Sequence, residues 1–148
     1  GPGLGPRAAA ACEAARDIHL PFASPPISKV EAFIHATCAG IKAINSDLRI
    51  NTYGHIGDGN IHHNILPPQG VTKAAFLKAE PDAAERIRMA VNDATVQFGG
   101  SISAEHGIGR LKTQDLQAYV SPVKQRALKA IKLALDPNNI MNPGAVLR

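Results

Sequence analysis

Apolar positions recur along this chain in two rhythms, and the rhythms alone lay out an order of elements. Val30, Phe33, Ile34, Thr37, Ile41 and Ile44 fall at three- and four-residue intervals, the stripe of a helix buried on one side. Ser28 and Glu31 stand at capping-box spacing, where hydroxyl and carboxylate satisfy orphan backbone N–H groups, so this helix is expected to open at Ser28. Asn45-Ser46-Asp47 ends it. From Leu48 to Ile56 the period drops to two, with Leu48, Ile50 and Thr52 on one face and Arg49, Asn51 and Tyr53 on the other. Gly57-Asp58-Gly59-Asn60 reads as a turn, and Ile61 to Leu66 as the returning strand, stopped by Pro67-Pro68. A short helix is predicted over Lys73–Lys78. A longer one runs from Pro81, tolerated in a first turn, to Phe98. Its stripe is Ala83, Ile87, Ala90, Val91, Ala94 and Phe98, with Gly99 as a left-handed exit. Ser101–Ser103 predicts a short strand and Leu111–Tyr119 a helix. Ser121-Pro122 opens a last helix, striped by Leu128, Ile131, Ala134 and Leu135 and terminated by Asp136-Pro137. Upstream, Ala8–Ala15 reads as a short helix and Arg16–Leu20 as a strand ending at Pro21. Phe22–Pro26 reads as a Pro-rich connector.

The order strand, helix, strand, strand, helix, strand is the split βαβ pattern of a ferredoxin-like α+β fold. It predicts an antiparallel sheet with helices on one face, plus C-terminal helices. Residues 1–27, opening with the Gly/Pro-rich Gly1–Arg7, form a poorly defined N-terminal segment, and residues 28–148 the domain proper.

Composition narrows the class. The chain has 148 residues, 45% of them hydrophobic, enough for one domain with a real core and too apolar for disorder. No run approaches the ~20 apolar residues of a membrane helix, and no secretory leader is evident, so a soluble, cytoplasmic domain is expected. The net charge of +4 comes from scattered Lys and Arg, without Trp and with only two Tyr and four Phe. A nucleic-acid surface needs concentrated charge or stacking platforms, so no nucleic-acid partner is expected. Cys12 and Cys38 lack a CxxC partner and suggest neither a disulfide framework nor a cysteine zinc site.

Candidate chemistry gathers in two segments, Gly54 to Asn64 and Ser101 to Arg110, which hold four of the six histidines. With Gly57 to Asn60 as the loop, Ile56 pairs with Ile61 and His55 stands directly opposite His62. Opposed side chains share a face with Cβ atoms about 4.5–5.5 Å apart, close enough for two imidazoles to hold one metal ion. Period two places Asn64 beside His62 and turns Ile61, His63 and Ile65 away, so His62 rather than His63 is the candidate ligand. Metals acting on substrate usually want a third ligand and an open position. Glu105, between a short strand and a Gly-x-Gly turn, is the outstanding choice, leaving His106 as an acid or base. Two His and a carboxylate suit Zn, Mn, Fe or Co. The plainer reading is a structural histidine pair beside a good turn. A P-loop does not fit, because the glycines lack the Gly-Lys-Ser/Thr ending and no helix follows.

Three motifs together resemble a known family. His55-Ile56-Gly57-Asp58-Gly59-Asn60-Ile61-His62, then Ser103-Ala104-Glu105-His106-Gly107-Ile108-Gly109-Arg110, then Leu135-Asp136-Pro137-Asn138-Asn139-Ile140-Met141-Asn142-Pro143-Gly144 are similar to the C-terminal domain of FAD-linked oxidases. That group contains D-lactate dehydrogenase, D-2-hydroxyglutarate dehydrogenase and the glycolate oxidase FAD subunit. The resemblance spans Ser28 to Leu147. It implies that His55, His62 and Glu105 are metal ligands, that Asn64 contacts substrate, and that His106 is the catalytic base. The implied reaction oxidises a 2-hydroxy acid to a 2-oxo acid, the metal lowering the hydroxyl pKa, His106 taking the proton and C2 passing a hydride to FAD.

Departures from the family pattern shape the expectation. No stretch here looks able to hold FAD, so the flavin is expected on an FAD-binding domain of the same polypeptide that this chain lacks. The chain then reads as the metal-bearing part of a substrate (cap) domain, inactive in isolation and able to self-associate through exposed apolar surface. Many relatives carry a Lys two residues before the Asp of an Asp-Ile-Ser-Val-Pro-like strand. Here Asp17-Ile18-His19-Leu20-Pro21 has Ala15 at that position and Arg16 next to it, and Pro26-Ile27-Ser28-Lys29-Val30 aligns as well. Two other readings compete: a free-standing metal-binding module without redox turnover, and a metallohydrolase, although no HExxH helix is present.

Overall fold

The computed structural model of the chain describes residues 18, 22–103 and 107–147. The predicted Ala8–Ala15 helix therefore lies outside the described residues, as does the Arg16–Leu20 strand apart from Ile18. The chain divides into two compact units, residues 1–104 and 105–148.

The first unit is an α+β arrangement. Helix α1 (Val30–Ile44) precedes the hairpin β2 (Arg49–His55) and β3 (Asn60–Leu66), followed by α2 (Lys73–Ala79) and α3 (Ala83–Gln97). A short β1 (Phe22–Ala23) pairs antiparallel with β3, giving the sheet order β1-β3-β2. The connector read at Phe22–Pro26 is thus a strand in its first two residues, which Pro25-Pro26 cut short. Ser101 forms an antiparallel bridge to Ser24, with both backbone bonds made, at 3.0 and 3.2 Å. Counting Ser101 as the fourth strand position, the spatial order is 4-1-3-2, that of the split βαβ pattern. The expected strand Ser101–Ser103 goes no further, because the Ser101 hydroxyl accepts the Ser103 N–H and bends the chain.

The predicted stripes of α1 and α3 are the core. Phe33, Ile41, Leu48, Ile61, Ile65, Ile87 and Val91 are all fully buried in one cluster, each contributing roughly 1.5–3 kcal/mol of transfer free energy. One start signal fails. Ser28 lies in a 3₁₀ turn (Ile27–Lys29), and α1 begins at Val30 with no side-chain cap. The Lys29 N–H bonds to the Pro26 carbonyl at 2.8 Å, so a tightened backbone turn replaces the capping box. By contrast, Thr72 caps α2, and Gly99 (φ 78°) closes α3 as expected.

The second unit holds α4 (Thr113–Tyr119) and α5 (Pro122–Leu135). Ser121 caps α5 by accepting the Lys124 N–H, with Pro122 in the first turn. The predicted α5 stripe does not become core, since no residue of α5 is buried. Leu128, Ile131 and Leu135 instead line an open groove of about 380 Å³ with Met141, Val146 and Leu147. Asp136 organises the turn that follows. Its carboxylate takes the Lys132 ammonium and the N–H groups of Ile140 and Met141. The Lys132 bond leads in holding this carboxyl below the usual carboxylate range, with the two backbone bonds helping and burial opposing. No described helix is long and apolar enough to cross a membrane.

Candidate functional site

The β2–β3 ladder decides which side chains meet. Its pairs are Asn51 with Asn64, Thr52 with His63, Tyr53 with His62, Gly54 with Ile61 and His55 with Asn60. His55 therefore does not stand opposite His62, nor Ile56 opposite Ile61, as the motif reading expected. The register is two residues off. Ile56–Asp58 form a 3₁₀ turn, Gly59 (φ 67°) returns the chain with its N–H bonded to the Ile56 carbonyl, and the ladder closes one residue earlier on each strand. Gly59 is needed there, because a Cβ would lie 2.5 Å from the Pro25 carbonyl oxygen.

A two-residue shift keeps the face. His55, Tyr53 and Asn51 of β2 share one face with Asn60, His62 and Asn64 of β3. His55 and His62 are diagonal neighbours, about 7–8 Å apart rather than directly opposed. Two imidazoles with metal–nitrogen bonds of about 2.1 Å still bridge that distance. Tyr53, not His55, stacks on His62, with ring centroids 5.1 Å apart and planes at 13°.

The opposite face belongs to the core. Ile61, His63 and Ile65 are buried, while Asn60, His62 and Asn64 are half-buried. His63 Nε2 lies 3.1 Å from the Thr37 hydroxyl and Nδ1 2.8 Å from that of Thr52. Thr37 Oγ1 also sits 2.9 Å from the Phe33 carbonyl and 3.0 Å from that of Ile34. Its single proton is required between those oxygens, so Nε2 carries the hydrogen of His63 and Nδ1 accepts from Thr52. Burial, followed by the neighbouring His62 charge, lowers the His63 pKa from 6.5 to about 4. His63 is a neutral structural residue.

The outward face carries unmet polar capacity. Asn60 Oδ1 and Asn64 Oδ1 are buried acceptors without a hydrogen-bond partner among the described residues. A buried unpaired acceptor costs roughly 1–3 kcal/mol, so both oxygens are suited to a donor brought by a ligand. Two imidazoles on one face with such oxygens beside them fit a divalent metal and a hydroxylated ligand. No group of three or more His, Cys, Asp or Glu able to hold a metal occurs among the described residues, and Glu105 and His106 lie outside them. Tyr53 and Asn60 belong to this face but escaped the motif reading. Their pairing, Tyr53 with His62 and Asn60 with His55, depends on a turn geometry that the Gly-Asp-Gly-Asn string leaves open.

Comparison with known proteins agrees with the motifs. The family of FAD linked oxidases, C-terminal domain, matches residues 10–146. The chain is 38% identical over 123 residues to a D-2-hydroxyglutarate dehydrogenase of Stutzerimonas stutzeri, covering 83% of this chain and 26% of the relative. It is 39% identical over 101 residues to a D-lactate dehydrogenase of Archaeoglobus fulgidus, covering 68% of this chain and 20% of the relative. It is 36% identical over 109 residues to the glycolate oxidase subunit GlcD of Bacillus subtilis, covering 70% of this chain and 22% of the relative. The chain thus spans about a quarter of the length of these relatives or less. With most of its length matched, and with the hairpin, the Glu105-His106 segment and the Asp136 tail all inside the match, this chain belongs to the family of FAD-linked oxidase C-terminal domains.

Proposed function

We propose that this chain is the metal- and substrate-binding portion of a flavin-dependent dehydrogenase that oxidises a small 2-hydroxy acid to its 2-oxo acid. The observation that carries the proposal is the shared outward face of His55, His62 and Asn64 on the β2–β3 hairpin. In this reading residues 28–148 are the cap domain, and the FAD-binding domain belongs to the rest of the same polypeptide, which works in the cytoplasm. The relatives, a D-2-hydroxyglutarate dehydrogenase, a D-lactate dehydrogenase and a glycolate oxidase subunit, support a 2-hydroxy acid as the substrate class.

His55 and His62 would hold a divalent metal together with Glu105. Bound there, the metal would supply Lewis acidity toward the substrate, and the flavin would supply an acceptor for the C2 hydride. The chain's own groups do the rest. Asn64, whose Oδ1 is a buried acceptor without a partner among the described residues, contacts the substrate and orients C2. His106 takes the hydroxyl proton as general base. His63, neutral on the other face of β3, keeps the strand in place and takes no part in proton transfer.

The test is direct. Calorimetric titration with Zn²⁺ and Mn²⁺ is expected to show one site, lost in His55→Ala and in His62→Ala. Unchanged binding in both variants overturns the ligand assignment. In the complete flavoprotein, His106→Ala should keep its metal and reduce its flavin far more slowly. Stopped-flow bleaching at the wild-type rate would remove His106 from the base role.

A further inference from the structure

Tyr53 has an unusual position. It is an aromatic residue on the outward face of the sheet, 47% exposed, and it takes no part in the core. Its ladder partner is His62, and its ring lies nearly parallel to the imidazole at 5.1 Å. This is offset stacking. An imidazole lone pair lies in the ring plane, so a metal approaches the ring edge and never its face. A ring stacked on the face therefore restrains rotation about χ2 without itself lying across the ring edge, where Nδ1 is buried. The χ2 torsion of histidine is otherwise broad and roughly two-fold, and any ligand that fixes it must overcome that freedom.

We infer that Tyr53 is the positioning residue for His62, its ring presetting the imidazole plane for coordination. The inference rests on the proposed metal role of His55 and His62 and adds a residue to it. Tyr53 touches neither metal nor substrate in this account. Its phenol hydroxyl is dispensable, because the ring face does the work. His55 lies at the mouth of the hairpin, exposed and opposite Asn60 rather than an aromatic. The two histidines are therefore unequally prepared, His62 being the preordered one.

A plain cross-strand aromatic pair that only stabilises the sheet is the rival account, and the experiment separates the two. The complete polypeptide carrying this domain is stripped of metal, and Zn²⁺ affinity is measured by competition with a chromophoric chelator for wild type, Tyr53→Phe, Tyr53→Thr and His62→Ala. Tyr53→Phe should bind within about twofold of wild type, while Tyr53→Thr binds about tenfold more weakly, the low end of the loss expected for a group that orients a ligand. With Co²⁺ in place of Zn²⁺, the visible ligand-field bands should shift in Tyr53→Thr and match wild type in Tyr53→Phe. A purely structural role would leave those bands alone. Should Tyr53→Thr lower the melting temperature, Tyr53→Ile, another good strand former, takes its place. If Tyr53→Thr or Tyr53→Ile keeps wild-type affinity and bands while His62→Ala loses them, the inference is overturned and the ligand assignment stands. Equal loss in the Phe and Thr variants overturns it as well, by transferring the role to the hydroxyl. If His62→Ala binds like wild type, the ligand assignment fails, and the positioning role falls with it.

Discussion

Two glycines three residues apart in the same hairpin should respond oppositely to a single methyl group. Gly54 sits in the β2 ladder at φ 153°, and a Cβ there would lie 2.0 Å from the Asn60 carbonyl oxygen and 3.1 Å from Ile61 Cα. Backbone occupies that space, so no side-chain rotation can relieve the overlap. Gly54→Ala must separate the strands by more than an ångström where Gly54 pairs with Ile61. The unfavourable φ costs roughly 1–2 kcal/mol, and each ladder hydrogen bond lost about 1 kcal/mol more. A loss of about 3 kcal/mol is expected, which for a chain of this size lowers Tm by roughly 10 °C. Gly57, in the turn, has no atom within 4 Å of its added Cβ and no positive φ. Gly57→Ala should be neutral, or more stable by about 0.4–1 kcal/mol because the unfolded chain loses freedom. Urea unfolding followed by far-UV circular dichroism is the assay, since the chain contains no Trp. Gly54→Ala should also weaken metal binding, because His55 is its neighbour and the strained pair lies between the two histidines. A Gly54→Ala loss below about 1 kcal/mol would refute the ladder register from which the site is built.

Three further outcomes follow from named contacts. His63 is neutral when folded, with its pKa lowered to about 4 against 6.5 unfolded. The unfolded chain alone binds this proton between those values, so stability is full above pH 6.5 and falls on acidification toward pH 4, by about 1.4 kcal/mol per unit and roughly 3 kcal/mol in all. His63→Gln should lose that slope, and urea midpoints at pH 7 and 4.5 with equal slopes in both proteins would contradict it. Thr52→Val removes the donor to His63 Nδ1 and should cost about 1–3 kcal/mol by the same unfolding assay. Asp136→Asn weakens the hold on Lys132 and the Ile140 and Met141 N–H groups, so limited proteolysis within residues 137–147 should become faster; an unchanged digestion rate would show that the carboxylate does not organise the tail.

What the sequence made legible followed period and face, and what it hid followed turn geometry. The stripes on α1 and α3 and the alternation of β2 predicted the core, because burial acts on parity and helical phase, which residue identity encodes directly. The hairpin register depended on whether Gly57-Asp58-Gly59-Asn60 would form the loop or a 3₁₀ turn one residue upstream. Both are compatible with that string, and the second is favoured by Gly59 fitting against the Pro25 carbonyl, a contact distant in sequence. The capping box at Ser28 failed for a similar reason, since two prolines ahead of it built a tighter turn. The α5 stripe was correctly placed as a stripe, but amphipathicity states that a face needs covering and not what covers it.

The outward face is secured by residues that never touch it. A one-residue slip of β3 would exchange its faces, placing His62 in the core and His63 outside. Such a slip would bury Asn60 and Asn64 in place of Ile61 and Ile65. It would also strand the Thr52 hydroxyl and remove the donor that Thr37 Oγ1 accepts from His63. Two buried isoleucines and a doubly hydrogen-bonded imidazole thus act as a parity lock on the strand. A two-residue slip escapes that lock, and there Gly54 intervenes, since the position facing the Asn60 carbonyl must lack a Cβ. Parity from the core and register from a glycine together place His62 beside Tyr53 and Asn64 on one open surface. The adjacent histidines His62 and His63 therefore have separate tasks, the buried one holding the strand so that the half-buried one can be offered to a ligand.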